Sequence, residues 1–341
     1  MKDKDTPLKL VRLWPSMAPN CYSELDRCYG AKLDGTMAWP DYCPLPISAA
    51  MTYLVHVLGI SQEDAAAGCA ELTACWAWRR NKIIYRFDSD LAAALSEQAY
   101  DISDTDILPA DTLMHLPYLC IYIKAPGILE HMDGFWAWME FDVNREAPEL
   151  RIQWVFDTFD YSIPQVLHII PGGTLKDCYL DTIKTTQENK FTPVDISHPA
   201  DSARIILTAI QLLLYITAQN ADVEDEPLPA KIQVVGSAKK KERGIQDKAS
   251  EIRAKDVGVR IGAAFRRSVG IRHNTVGNST AGSARRPHMR RGHWHHYWRG
   301  PMSGKRELIL LWTAPTMVHG ESLREENVVI YPVRNEENRK S

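Results

Sequence analysis

Two apolar runs joined by a short polar turn constrain the fold of this chain more than any other feature. Residues 134–143 and 150–157 are rich in Trp, Phe, Ile and Val, and the turn between them contains Pro148. This pattern predicts a β-hairpin. A further apolar run at 163–170 ends at a Pro-Gly-Gly sequence, which predicts a third consecutive strand.

Consecutive strands indicate a different fold class from alternating strands and helices. They favour an antiparallel sheet with separate helices over a parallel α/β sheet. Ser61, with Asp64 three residues later, predicts the start of a helix that extends to about Lys82, and residues 200–218 predict a long apolar helix. We therefore predict an α+β fold, with helices packed on one side of an antiparallel sheet and a basic β-hairpin module at the C-terminal end.

Acidic and basic residues are distributed unevenly along the chain. Residues 1–230 contain 17 Lys and Arg against 33 Asp and Glu, whereas residues 231–341 contain 23 against 10. A basic segment beside an acidic body suggests two tasks, one of them contact with phosphate. We predict four regions: an irregular segment (1–45), an acidic α+β body for peptide recognition (46–230), a basic module that contacts RNA or the ribosome (231–320) and a charged tail (321–341).

Residues 285–300 are the most distinctive part of the basic module. They contain five Arg, four His, two Trp and one Tyr. A strand between Gly292 and Gly300 would direct Tyr297 and alternate histidines to one face and both tryptophans to the other. We expect this strand to pair with residues 308–312, the tryptophan face to pack and the other face to meet a partner. The alternative is that the rings only close the end of a small sheet.

Two kinds of chemistry fit this stretch. Arginines can bind phosphates, and aromatic or imidazole rings can stack on unpaired bases. Two histidines with a lysine also resemble a metal-independent ribonuclease, in which one imidazole removes a 2′-hydroxyl proton. No catalytic residue is assured, and the catalytic candidates are His293, His295 and Lys305. The candidates for RNA or ribosome contact are Arg285, Arg286, His288, Arg290, Arg291, His293, His295, Tyr297 and Arg299.

Aromatic side chains in the body are candidates for a peptide-binding groove. Large rings favour either packed cores or recognition surfaces, so core packing is the alternative. The candidates are Trp78, Phe135, Trp136, Trp138, Trp154 and Phe156.

Several function classes lack their sequence signatures here. The P-loop, G-x-G-x-x-G, G-x-S-x-G and H-E-x-x-H motifs do not occur. The seven cysteines form no C-x-x-C pair, which indicates reduced thiols that serve in packing. We predict no metal and no cofactor. The N-terminal residues do not form a secretory signal, and we predict a cytoplasmic protein without a membrane partner.

The sequence from Arg286 to His295, with Trp312-Thr313-Ala314-Pro315 further on, resembles the C-terminal signature of the type V-A anti-CRISPR family of phages and mobile elements. Segments at 77–79, 116–122 and 134–137 are similar to family segments in the same order. The resemblance covers most of residues 65–320. It implies a protein that recognises the nascent N-terminal peptide of the type V-A CRISPR effector nuclease and causes loss of the effector's mRNA.

Two hypotheses follow. The first is a non-catalytic adaptor whose body binds the nascent peptide while its basic end contacts mRNA or the ribosome, with a host ribonuclease as one route to mRNA loss. The second is a metal-independent ribonuclease, or a general RNA-binding protein of a mobile element, that uses residues 285–299.

Overall fold

The chain divides into two compact units. The computed structural model describes residues 6–99, 108–125, 127–128, 131–156, 162–188, 199–225, 252–266, 288–290, 292–313 and 316–318. Unit 1 consists of residues 1–217 with 222–262, and unit 2 consists of residues 218–221 with 263–341. Each unit has its own sheet structure.

The described part of unit 1 contains seven α-helices and seven strands. The N-terminal elements are α1 (Thr6–Met17), α2 (Cys21–Leu33), α3 (Ile47–Thr52), a π-helical turn (Tyr53–Val57), α4 (Gln62–Trp78), β1 (Ile83–Phe87) and α5 (Ser89–Glu97). The remaining elements are a 3₁₀ turn (Ala110–Met114), β2 (Cys120–Lys124), β3 (Met132–Asp142), β4 (Ala147–Phe156), β5 (Ser162–His168), α6 (Leu175–Glu188), α7 (Pro199–Thr217), β6 (Val223–Asp225) and β7 (Arg253–Val257).

The seven strands form one sheet in the order β5-β4-β3-β2-β1-β7-β6. Strands β2 to β5 are antiparallel neighbours, and the predicted hairpin of β3 and β4 is confirmed. The α+β class is confirmed too, but the sheet is mixed, because β1 runs parallel to both β2 and β7. Parallel neighbours need a crossover connection, and the segment that contains α5 supplies it between β1 and β2.

Helices cover both faces of the sheet, rather than one as expected. Helix α4 packs on the face that carries Tyr122 and Trp136. On the opposite face, the Phe87 ring meets the Tyr215 ring of α7 at a centroid distance of 6.0 Å. Both faces of the central strands are therefore buried, which explains why β3 contains an uninterrupted buried run from residue 134 to residue 140.

The prediction of an irregular N-terminal segment is wrong for residues 6–33, which form α1 and α2. Leu10, Val11 and Trp14 give α1 a buried stripe at helical spacing. Pro15 removes the N–H that would bond the Val11 carbonyl, and the Tyr22 hydroxyl donates to that oxygen at 2.7 Å instead. The hydrogen bond from Tyr22 thus replaces the helical bond that Pro15 removes, and the helix continues past the proline.

The predicted boundary between residues 230 and 231 also differs from the structure. Unit 1 extends to residue 262, because β7 pairs with β1 through five residues. Ala254 and Val257 are buried in this pairing. Arg86 of β1 donates to both carboxylate oxygens of Asp256, at 2.7 and 2.9 Å. The basic module therefore begins later than its charge suggested.

Helix α6 covers the edge strand β5. The His168 backbone N–H donates to Thr182 Oγ1 at 2.9 Å, and the Ile170 N–H donates to Cys178 Sγ at 3.2 Å. These bonds satisfy donors that an edge strand would otherwise expose. They also place the side chains of α6 beside those at the end of β5.

Two further expectations concern thiols and membranes. All seven cysteines are free, and six of them are buried, as expected for packing thiols. Within the described ranges, no helix is both long enough and apolar enough to span a membrane.

Candidate functional site

Unit 2 contains the predicted C-terminal hairpin. Strand β9 (His293–Arg299) pairs antiparallel with β10 (Glu307–Thr313), and β8 (His288–Arg290) pairs with β11 (Thr316–Val318). In the longer hairpin Arg299 lies opposite Glu307 beside the turn, while His293 lies opposite Thr313 at the far end. We call these ends the hairpin tip (residues 297–306) and the hairpin base.

The hairpin base is held by a buried tryptophan. Only 3% of Trp312 is exposed, and its ring lies 6.4 Å from that of Trp294 between centroids. The Asn220 side chain donates to the Trp312 carbonyl at 2.6 Å and accepts from the Trp312 N–H at 3.0 Å. The amide of Asn220 therefore extends the edge of this sheet as a strand would.

The hairpin tip is exposed on both faces. Tyr297 is 48% exposed and Trp298 is 58% exposed, although neighbouring residues of a strand point to opposite sides. Residues 299–306 are exposed as well, and the Arg306 guanidinium lies 5.8 Å from the centroid of the Trp298 ring. The expectation that Trp298 packs is wrong, because no described element covers either side of the strand near the turn.

The predicted RNA contacts divide into three groups. Tyr297 and Arg299 lie together at the hairpin tip, and His293 lies half-buried at the base. The backbones of His288, Arg290 and His295 are in strands, but their side chains are not described. Arg285, Arg286 and Arg291 lie outside the described residues.

The sequence interpretation missed part of the tip. Trp298 and Arg306 belong to the same exposed surface as Tyr297 and Arg299, and Lys305 joins them there. The available signal was the turn at 300–304, because basic and aromatic residues on both sides of a hairpin turn must come together.

The three catalytic candidates do not lie at the same end of the hairpin. Lys305 lies in the turn beside Arg299, whereas His295 and His293 lie four and six residues along β9 from Arg299. At about 3.3 Å per residue, this separation is roughly 13–20 Å along the strand. Lys305 therefore belongs with the arginines of the tip and not with the histidines.

The six aromatic candidates for peptide binding are all in the core. Trp78, Phe135, Trp136, Trp138 and Trp154 are fully buried, and Phe156 is nearly so. Phe135 stacks against Trp154 with 4.4 Å between centroids, and the Trp78 indole donates to the Ile83 carbonyl at 2.7 Å. The groove that we expected from these rings is not open, since helices cover both faces of the sheet.

An open apolar groove lies elsewhere in unit 1. It is bounded by α2, α3, the π-helical turn and residues 37–46, and its volume is about 400 Å³. Its apolar lining includes Leu25, Met37, Trp39, Pro46, Tyr53 and Val57. The Trp39 indole donates to the Cys43 carbonyl at 3.1 Å, and Lys32 lies 5.3 Å from the centroid of the Trp39 ring. These two contacts hold the Trp39 ring in place as one wall of the groove.

The protein is of the α+β class: unit 1 has a mixed seven-stranded sheet with helices on both faces, and unit 2 has a hairpin with a basic aromatic tip. The chain belongs to the AcrVA2-like family, the anti-CRISPR type V subtype A2 family, whose model matches residues 85–320. The predicted family resemblance is thereby confirmed. The groove, which is lined by residues 24–57, lies outside the matched segment.

A solved structure has a similar fold. The crystal structure of AcrVA2 matches with a TM-score of 0.60 and 18% sequence identity, and the alignment covers 91% of this chain and 98% of that one. At this identity the likeness shows the fold alone. In the comparison with curated proteins, no sequence matches the chain.

The two tryptophans of the hairpin should respond differently to truncation. Trp312→Ala should lower the free energy of unfolding by about 3–5 kcal/mol, because it removes a buried ring. Trp298→Ala should change it by less than about 1 kcal/mol, because the ring is largely in solvent. Chemical denaturation followed by circular dichroism checks both values. Equal effects would show that the exposed tip is wrongly assigned.

Proposed function

We propose that this protein is an anti-CRISPR adaptor that binds the nascent N-terminal peptide of a type V-A effector nuclease and causes loss of the effector's mRNA. Membership of the AcrVA2-like family is the observation that carries the proposal. The division of charge supports it, because an acidic unit suits a basic peptide and a basic hairpin suits RNA or the ribosome.

The peptide site in this proposal is the groove beside α2 and α3. Val57 is 61% exposed, and Met37 is exposed beside it, so apolar surface is available to a peptide side chain. Glu24 also lines the groove, where its carboxylate forms an ion pair with Arg27, and a basic peptide residue would share or replace that pair. The buried aromatic residues of the sheet then act as the support of the recognition unit.

The RNA or ribosome contact in this proposal is the hairpin tip. Arg299, Lys305 and Arg306 supply cations, and Tyr297 and Trp298 supply rings on which unpaired bases can stack. A surface of this kind binds backbone and bases without strict sequence preference. Selectivity for one message must therefore come from the peptide.

Recoding the first codons of the effector tests the proposal. Synonymous codons should leave depletion of the effector mRNA intact, because the encoded peptide is unchanged. Codons that change the peptide should abolish depletion, because the bound surface is lost while the RNA is nearly the same. Quantitative PCR with immunoblotting measures message and protein together. Loss of depletion on synonymous recoding alone would place the specificity in the RNA.

A matched pair of valines tests the position of the peptide site. Val57 lines the groove and Val143 lies in the β3–β4 turn, yet their exposures are nearly equal, at 61% and 62%. Val57→Arg should weaken binding of the effector's N-terminal peptide by at least tenfold, because it fills the groove and repels a basic peptide. Val143→Arg should bind like the parent chain. Isothermal titration calorimetry measures both affinities, and equal affinities would remove the groove from the proposal.

The histidine-rich strand keeps a ribonuclease as the second candidate function, and the purified protein distinguishes the two. Incubated with labelled RNA in the absence of ribosomes, it should bind the RNA and leave it intact. Tyr297→Ala should weaken this binding by about 1–3 kcal/mol through loss of stacking, and replacement of Arg299 should reduce the log–log salt slope by about 0.7.

If the parent chain cleaves the RNA, and both His293→Ala and His295→Ala abolish that cleavage, the ribonuclease would be established instead. The exposed His56→Ala serves as a matched control, because it removes an imidazole from unit 1.

A further inference from the structure

Three potential metal ligands converge at one end of β3, β4 and β5. On one side of β4, Glu149 pairs with His168 of β5. On the other side, Glu149 pairs with Glu140 of β3, and Asp142 follows Glu140 by two residues. Paired residues and residues two apart share a face of a sheet. The ligand atoms of Asp142, Glu149 and His168 all lie within 4.8 Å of one another. We call these three residues the β3–β5 cluster.

Glu149 has one carboxylate oxygen near the other members of the cluster. Its side chain is only 3% exposed, and its Oε1 atom accepts from Arg151 Nε at 2.7 Å. Among the residues that the structure describes, Oε2 accepts no hydrogen bond, and His168 Nε2 lies 4.0 Å from it. That distance is too long for a hydrogen bond, and an approach of roughly half an ångström would bring both atoms to the spacing of two ligands of one tetrahedral ion. Oε2 is therefore the oxygen that Glu149 can offer to an ion.

His168 is held in the orientation that a ligand requires. Its Nδ1 atom lies 3.2 Å from Asp181 Oδ2 on α6, and Arg145 donates to the same oxygen at 2.6 Å. When Nδ1–H donates to Asp181, the lone pair of Nε2 faces Glu149. At metal sites, the other ring N–H of a histidine ligand almost always donates to a carboxylate, a backbone carbonyl or a water, and this bond fixes the tautomer and the ring position.

Asp142, the last residue of β3, offers the third ligand. Its Oδ1 atom accepts from the backbone N–H of Asn144 at 2.9 Å and of Arg145 at 3.3 Å. These bonds orient the carboxylate and leave Oδ2 for an ion. Asp142 is half-buried, so solvent has access to the cluster from this side.

The local charge favours a cation. Four carboxyl groups lie at this end of the sheet, on Glu140, Asp142, Glu149 and Asp181, against the guanidinium groups of Arg145 and Arg151. Negative charge therefore exceeds the positive charge that the neighbouring arginines supply.

We propose that Asp142, Glu149 and His168 bind a divalent transition metal ion of the Zn²⁺ type, with Asp181 as the positioning residue of His168. One imidazole and two carboxylates suit Zn²⁺ or Mn²⁺, whereas Mg²⁺ prefers oxygen ligands alone. Such an ion would join β3, β4 and β5, and through Asp181 it would join them to α6. This role is independent of the proposed adaptor function.

Metal titration of the full-length chain tests the site. After treatment with a chelator, the chain is titrated with Zn²⁺, Mn²⁺ and Mg²⁺ by calorimetry, and its melting temperature is measured with and without each ion. His168→Gln and Asp142→Asn should each bind one Zn²⁺ fewer than the parent chain and lose part of the Zn²⁺-dependent rise in melting temperature. His56→Gln should match the parent, and the histidines at 288–296 give the same background in every variant.

Asp181→Asn separates positioning from ligation. It should keep the stoichiometry of Zn²⁺ but weaken the affinity by about 10–100-fold, because His168 loses its orienting carboxylate. Asp142→Asn keeps the fold testable if His168→Gln unfolds, since an asparagine oxygen can still accept the two turn amides. Equal Zn²⁺ stoichiometry in the parent and in Asp142→Asn would overturn the site and leave only the polar contacts among these side chains. Binding of Mg²⁺ as tight as that of Zn²⁺ would overturn the assignment of His168 as a ligand.

Discussion

The packing of α4 on the central strands is the interaction on which unit 1 depends. Trp76 and Trp78 at its C-terminal end are fully buried, so their indole N–H groups must find acceptors inside the protein. Trp78 donates to Ile83 of β1, and Trp76 donates to Asp26 of α2 at 2.9 Å. Asp26 also accepts from Arg79 and Arg80, at 2.7 and 2.8 Å. One carboxylate therefore aligns α2 with α4, and the groove is bounded by that same helix α2.

The sequence predicted the elements whose signals are local. The β3–β4 hairpin and the β9–β10 hairpin each combine two apolar runs with a short turn, and the cap at Ser61 needs only Asp64, whose N–H donates to it at 3.1 Å. The elements that it missed depend on distant partners. Strand β7 pairs with β1 across about 170 residues, and α1 tolerates Pro15 because Tyr22 occupies the Val11 carbonyl. No pattern within a short window contains that information.

The candidate sites follow the same rule. The composition of 285–300 identified a basic aromatic surface, but strand alternation alone does not show which end of a hairpin is covered. Trp294 and Trp298 share a face, yet Trp294 meets Trp312 while Trp298 is in solvent. The rings of β3 and β4 have the composition of a recognition surface, and only the helices on both faces show that they are core. The groove was missed because its walls come from residues 24–31, 37–39 and 46–57, which only the fold brings together.

The groove lies outside the segment that the family model matches, and this position bears on the proposed recognition. The family model matches residues 85–320, which include most of the sheet and the hairpin, whereas the groove is formed by residues before that range. Glu140 connects the two parts. Its carboxylate accepts from the Ile47 N–H at 3.2 Å and from Cys43 at 3.6 Å, and thereby holds the segment that contains Pro46 of the groove wall against β3. Glu140 is also paired with Glu149 in the sheet, so the β3–β5 cluster adjoins the residue that holds this segment. In the proposed adaptor, the N-terminal segment could therefore change its peptide specificity while the sheet continues to hold the groove in place.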